Sequence, residues 1–102
     1  MGTADPALLE GGRPGRALIL DVSPTGATLD SDEGIAEAIC LFILEVRSPA
    51  IAAYHATTRQ RFPLSRLDEI EPGQTLVAVR IDASSPSRVA IDWDAPVVVT
   101  AR

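Results

Sequence analysis

The chain has 102 residues, a formal net charge of -5, 46% hydrophobic and 23% charged residues, which suits one globular domain with a single core rather than a disordered segment. A single cysteine, Cys40, excludes an intrachain disulfide and a cysteine-based zinc site, and a single histidine, His55, excludes a two-histidine metal site within the chain. No apolar run approaches the roughly 18–20 residues that span a bilayer as a helix.

In chain order, residues 1–15 are punctuated by Gly2, Pro6, Gly11, Gly12, Pro14 and Gly15. They read as a flexible N-terminal arm, with room for one helical turn over residues 6–10. Residues 16–102 then read as a single β-barrel domain. Residues 17–22 form a short apolar strand, Ser23-Pro24-Thr25-Gly26 a turn, and residues 27–30 the returning arm of a hairpin. A second turn follows at residues 31–34. Residues 35–48 admit two readings. As a helix, Ile35, Ile39, Phe42 and Val46 share a face. As a strand, the preferred reading, Ala38, Cys40, Phe42, Leu44 and Val46 face one way and Glu37, Ile39, Leu41, Ile43, Glu45 and Arg47 the other.

Residues 51–62 read as the partner strand, its polar set being His55, Thr57, Arg59 and Arg61, and Pro63 ends it. Residues 64–70 read as one helical turn capped by Ser65, with Leu64, Leu67 and Ile70 facing the core. Further strands are expected at residues 75–81, 88–93 and 96–100, with a polar turn at 82–87 in which Asp82 and Ser84 bond their own backbone. The sum is an all-β fold, a small antiparallel barrel or sandwich of six to seven short strands, OB-like or related.

All nine basic residues are arginine and there is no asparagine, which points to GC-rich coding. Acidic balance and few aromatic residues disfavour generic nucleic-acid binding. The N-terminus lacks a basic and apolar leader, so the expected setting is cytoplasmic and reducing. No catalytic residue, cofactor or metal is expected. His55 lacks an orienting partner and a presented nucleophile, Cys40 falls on the apolar face of its strand, and Asp92 and Asp94 flank Trp93 in a chain too short for a glycosidase cleft. Asp30, Asp32 and Glu33 lack the spacing of a calcium loop.

Two features rise above this background. Arg59, Arg61 and Arg66 form a basic cluster, the candidate anion-binding residues, and would serve the alternative of a small oligonucleotide-binding barrel. The triplet Ile39, Leu41 and Ile43 is an apolar row facing away from the core, rimmed by Glu37, Glu45 and Arg47. Such a patch marks a partner surface, a homodimer being the simplest case. The competing reading is that the N-terminal arm or the C-terminal strand covers it. The function expected is a non-enzymatic, self-associating interaction module.

Three stretches carry a resemblance. They are residues 15–17 through Ser23-Pro24-Thr25-Gly26; Tyr54-His55-Ala56-Thr57-Thr58-Arg59-Gln60-Arg61-Phe62-Pro63; and Leu67 through Pro72-Gly73 to Asp82, with Pro86 and Arg88-Val89-Ala90-Ile91. Together they resemble a family of small uncharacterised actinobacterial all-β proteins, some of which carry a C-terminal oligomerisation domain or membrane segments. The resemblance implies a small β-barrel and no catalytic residues. This chain departs from the pattern over residues 30–40, where the link between strands is longer and more apolar, and lacks an appended helical domain.

Overall fold

A computed structural model describes residues 6–30, 36–49, 51–95 and 97–99. β2 (Ala36–Ser48) shows most plainly why the chain forms sheet. Strand alternation gathers Ala38, Cys40, Phe42, Leu44 and Val46 on one face, and each is 0–1% exposed. A helix would scatter the same five residues around its circumference. The preferred strand reading of this segment therefore holds.

β1 (Arg13–Asp30) overturns the expected hairpin at Ser23–Gly26. Its pairing with β2 continues from Arg16↔Arg47 to Asp30↔Ala36, with irregularities at Leu20 and at residues 25–27. The Ser-Pro-Thr-Gly stretch thus runs on as strand, with Ser23 and Pro24 paired and Thr25 and Gly26 entering a bulge. Gly26 adopts φ +96°, which a side chain would resist, and the Thr25 hydroxyl donates to the Ile39 carbonyl at 2.9 Å where the ladder is interrupted. The bend is a geometric necessity. At about 3.3 Å per residue, 18 residues laid straight would reach about 60 Å, and the longest extent of the molecule is 40 Å.

The remaining elements are β3 (Ile51–Pro63), a 3₁₀ turn (Leu64–Glu69), β4 (Thr75–Ile81), β5 (Val89–Ile91) and β6 (Val98–Val99). Strand order is β3-β2-β1-β4-β5, with β6 also pairing β4, and every pairing is antiparallel. The fold is all-β as expected, but it is one open sheet of six strands among the described residues, not a closed barrel of uniformly short strands. β5 ladders with β4 and has no backbone ladder with β3. A side chain joins them instead. Gln60, 3% exposed, accepts from the Ile91 N–H at 2.6 Å and donates to the Ile91 carbonyl at 3.2 Å.

The core lies on the inner face, where Phe42, Phe62, Leu44, Ile19, Val77, Val79 and Ile91 pack with the inward row of β2. The 3₁₀ turn presents Leu64 and Leu67 to this core and Ile70 is buried in it, as expected. The expected Ser65 cap is absent, since the turn follows directly on Pro63 without a side-chain cap. Part of the expected arm is also structured. α1 (Pro6–Gly11) packs on β4 and β5, Leu8 is buried, and Arg13 already pairs with Ile81. Gly12 permits this close approach, because a Cβ there would lie 2.6 Å from the Leu8 carbonyl oxygen. Residues 1–5 lie outside the described residues.

Candidate interaction face

Directly opposed residues of an antiparallel pair share a face, so the register lays out the outer surface of β2. Ile43 lies between Asp21 of β1 and Thr57 of β3. Leu41 lies between Ser23 and Arg59, and Ile39 between the β1 bulge and Arg61. At the ends, Glu45 lies between Leu18 and His55, Glu37 opposes Pro63, and Arg47 opposes Arg16. The apolar row and the Arg59–Arg61 pair, read separately from the sequence, are therefore adjacent rows of one face.

Ile39, Leu41 and Ile43 are half-buried. Among the described residues neither terminal element covers them, because α1 contacts β4 and β5 and β6 contacts β4. Two ion pairs hold the rim. Arg61 Nη2 lies 3.0 Å from Glu37 Oε1, and Arg47 Nη2 lies 2.7 Å from Glu45 Oε1. Both pairs are partly solvated, so their value is in orienting side chains rather than in stability.

The three candidate anion-binding arginines do not converge. Arg59 is exposed and forms no ion pair among the described residues, while Arg61 is committed to Glu37. Arg66 sits on the 3₁₀ turn, bonded to Glu69 at 3.1 Å and stacked 5.5 Å over the Phe62 ring. The large aromatic rings are elsewhere. Phe42, Phe62 and Trp93 form one cluster with ring centroids 4.8–6.0 Å apart, packed on the core side.

Cys40 is fully buried, and burial pushes its thiol above the ordinary value. His55 is exposed on the outer row. Asp92 accepts a bond from the Asp94 N–H at 3.1 Å, the geometry of a local turn. Asp82 accepts bonds from the backbone and hydroxyl of Ser84, as expected, and those bonds hold its carboxyl below the ordinary value. Asp32 and Glu33, considered above for calcium, lie outside the described residues.

Sequence reasoning missed the seam between β3 and β5. Beside Gln60, a cleft of about 240 Å³ is lined by Arg61, Trp93, Asp92 and Asp94. Arg61 Nε and Trp93 Nε1 are buried there without a hydrogen-bond partner. The available signal was Gln60 itself, a polar residue in the inward alternation of β3. Compared with family models, with curated proteins and with solved structures, the chain matches none. No helix among the described residues is long and apolar enough to cross a membrane.

Proposed function

We propose that the protein is a non-enzymatic interaction module that self-associates through the outer face of β2. The observation that carries this reading is the apolar row Ile39, Leu41 and Ile43 on β2, flanked by β3 and β1 and left uncovered by α1 and β6. The flanks support a symmetric pair. Asp21 and Ser23 line the β1 side and Thr57 and Arg59 the β3 side. A two-fold axis running along β2 would lay the acidic flank of one copy over the arginine flank of the other.

Half-burial sets the strength. Completing the burial of each of these side chains contributes on the order of 1 kcal/mol, less than the ~1.5–3 kcal/mol of full burial. Two copies of the row then only match the lower end of the ~4–15 kcal/mol lost in rigid-body freedom. The flanking charges must supply the rest, so the dimer is weak and reversible. Within this reading the chain belongs to the actinobacterial family it resembles and works in the cytoplasm, a setting that suits its single unpaired thiol.

Oligonucleotide binding through Arg59 and Arg61 has less support. Arg61 is already paired with Glu37, and the ring cluster that could stack bases faces the core. Amide spectra recorded over a dilution series test the main reading. Concentration-dependent shifts should centre on Ile39, Leu41 and Ile43 and their neighbours Asp21 and Arg59. Shifts elsewhere, or none, would refute it.

A further inference from the structure

At the far end of the same face, the start of β1 and the end of β2 bring Arg16 directly opposite Arg47. Like charges in that position repel. Compensation is incomplete. Glu45 takes Arg47 through both Nε and Nη2, at 3.2 and 2.7 Å. Arg16 has Ala78 as its other cross-strand neighbour and forms no ion pair among the described residues. Among the described residues Arg16, like Arg59 on the same face, is thus a guanidinium without a carboxylate, in a chain whose net charge is -5.

These arginines stand over a groove of about 520 Å³ whose other walls are Pro14, Gly15, Pro49 and Leu76, with Ser48 as the one uncharged polar side chain among the described lining residues. That volume falls within the ~300–1,000 Å³ usual for small-molecule sites. The walls are apolar, and the two proline rings fix them with no backbone N–H to satisfy. Two other clefts differ in kind. The one of about 350 Å³ beside α1 includes Asp82 in its lining, and the one of about 240 Å³ at the seam includes Asp92 and Asp94. Among the described residues, the groove at Arg16 has no carboxylate in its lining.

We infer that this groove binds a small amphipathic carboxylate, with Arg16 gripping the charged head, Arg47 adding positive charge beside it while Glu45 holds its Nε and Nη2, and Pro14, Pro49 and Leu76 holding the hydrocarbon. A planar guanidinium matches a carboxylate through two parallel hydrogen bonds. The anion also relieves the Arg16–Arg47 repulsion, so the head contributes more here than at an isolated arginine. The apolar walls discriminate against inorganic anions and against acids without a tail.

Octanoate is a suitable probe, titrated into dilute protein, where association through β2 is negligible, and followed by amide spectra. Saturable shifts should be confined to Gly15, Arg16, Arg47, Ser48 and Leu76. Acetate, which lacks the tail, and octanol, which lacks the charge, should each bind at least tenfold more weakly. Arg16→Gln should weaken octanoate at least tenfold while the remaining spectrum stays folded. Arg47→Gln, which removes the guanidinium that Glu45 holds, should also weaken octanoate, but by less than Arg16→Gln. Acetate binding as tightly as octanoate would overturn the inference, as would shifts spread over the sheet or undiminished binding by both variants.

Discussion

β2 carries two apolar rows on one backbone, and they meet opposite fates. Ala38, Cys40, Phe42, Leu44 and Val46 are sealed at 0–1% exposure, whereas Ile39, Leu41 and Ile43 stay half-buried on the other face. Hydrophobicity does not separate them, since isoleucine and leucine are at least as apolar as alanine and cysteine. The difference is what lies opposite. The bent sheet folds its inner face onto Phe62, Val77, Val79 and Ile91. On the outer face the cross-strand neighbours of Leu41 and Ile43 are the polar Asp21, Ser23, Thr57 and Arg59. One row serves stability, and the other is the row we propose for association.

The sharpest test of that contrast is chemical. Cys40 should react with a thiol reagent only through opening of the fold. If that opening costs even the lower end of the ~5–15 kcal/mol typical of domains, native labelling slows by about a thousandfold or more relative to unfolded chain. A Cys40→Ser, Leu41→Cys variant moves the thiol one residue along and should label rapidly while native. Equal rates for the two positions would erase the distinction between the faces.

Phe42→Ala should cost about 3–5 kcal/mol, read as a lowered urea midpoint, because the ring contacts both Phe62 and Trp93. Gln60→Leu should cost a comparable amount. It leaves the Ile91 N–H and carbonyl unsatisfied at the seam, at about 1–3 kcal/mol for each buried group. Hydrogen exchange at the Ile91 amide should accelerate in step.

Leu41→Glu should change stability by no more than about 1 kcal/mol, since its cross-strand neighbour is Arg59 and the new charge is paired. A loss as large as that of Phe42→Ala would place Leu41 in the core. The smallest effect is expected at Asp82, whose carboxyl is held below its ordinary value by Ser84. A depressed carboxylate stabilises the fold above its unfolded pKa, and the contribution disappears as pH falls through the folded pKa. Asp82→Asn should therefore be slightly less stable than wild type at neutral pH and indistinguishable from it near about pH 2. A difference that grew on acidification would contradict this sign.

The two faces of β2, like β4, were legible because period-two alternation is a local signal. The β1 bulge was not. Ser23-Pro24-Thr25-Gly26 has the residue types of a reverse turn, and a bulge with a positive φ at glycine draws on the same residues. Only the non-local register with β2 decides between them. The Gln60 bridge was hidden for a related reason, because its partner Ile91 lies 31 residues away. At the candidate face, the residues of the apolar row could be read from spacing. Their half-burial could not, since it depends on the strands on either side. The groove at Arg16 and Arg47 joins positions 31 residues apart, and nothing in the sequence near either one signals the other.

The central claim is that the uncovered row of β2 joins two copies. Sedimentation equilibrium over a concentration series tests it most directly. The series should extend to about 1 mM, where an association worth about 4 kcal/mol is half-complete. The account predicts that the weight-average mass of wild type climbs from 10.8 kDa toward twice that value. Leu41→Glu, folded to the same degree, should stay at the monomer mass throughout. A wild type that remains at 10.8 kDa across the whole range would contradict the account.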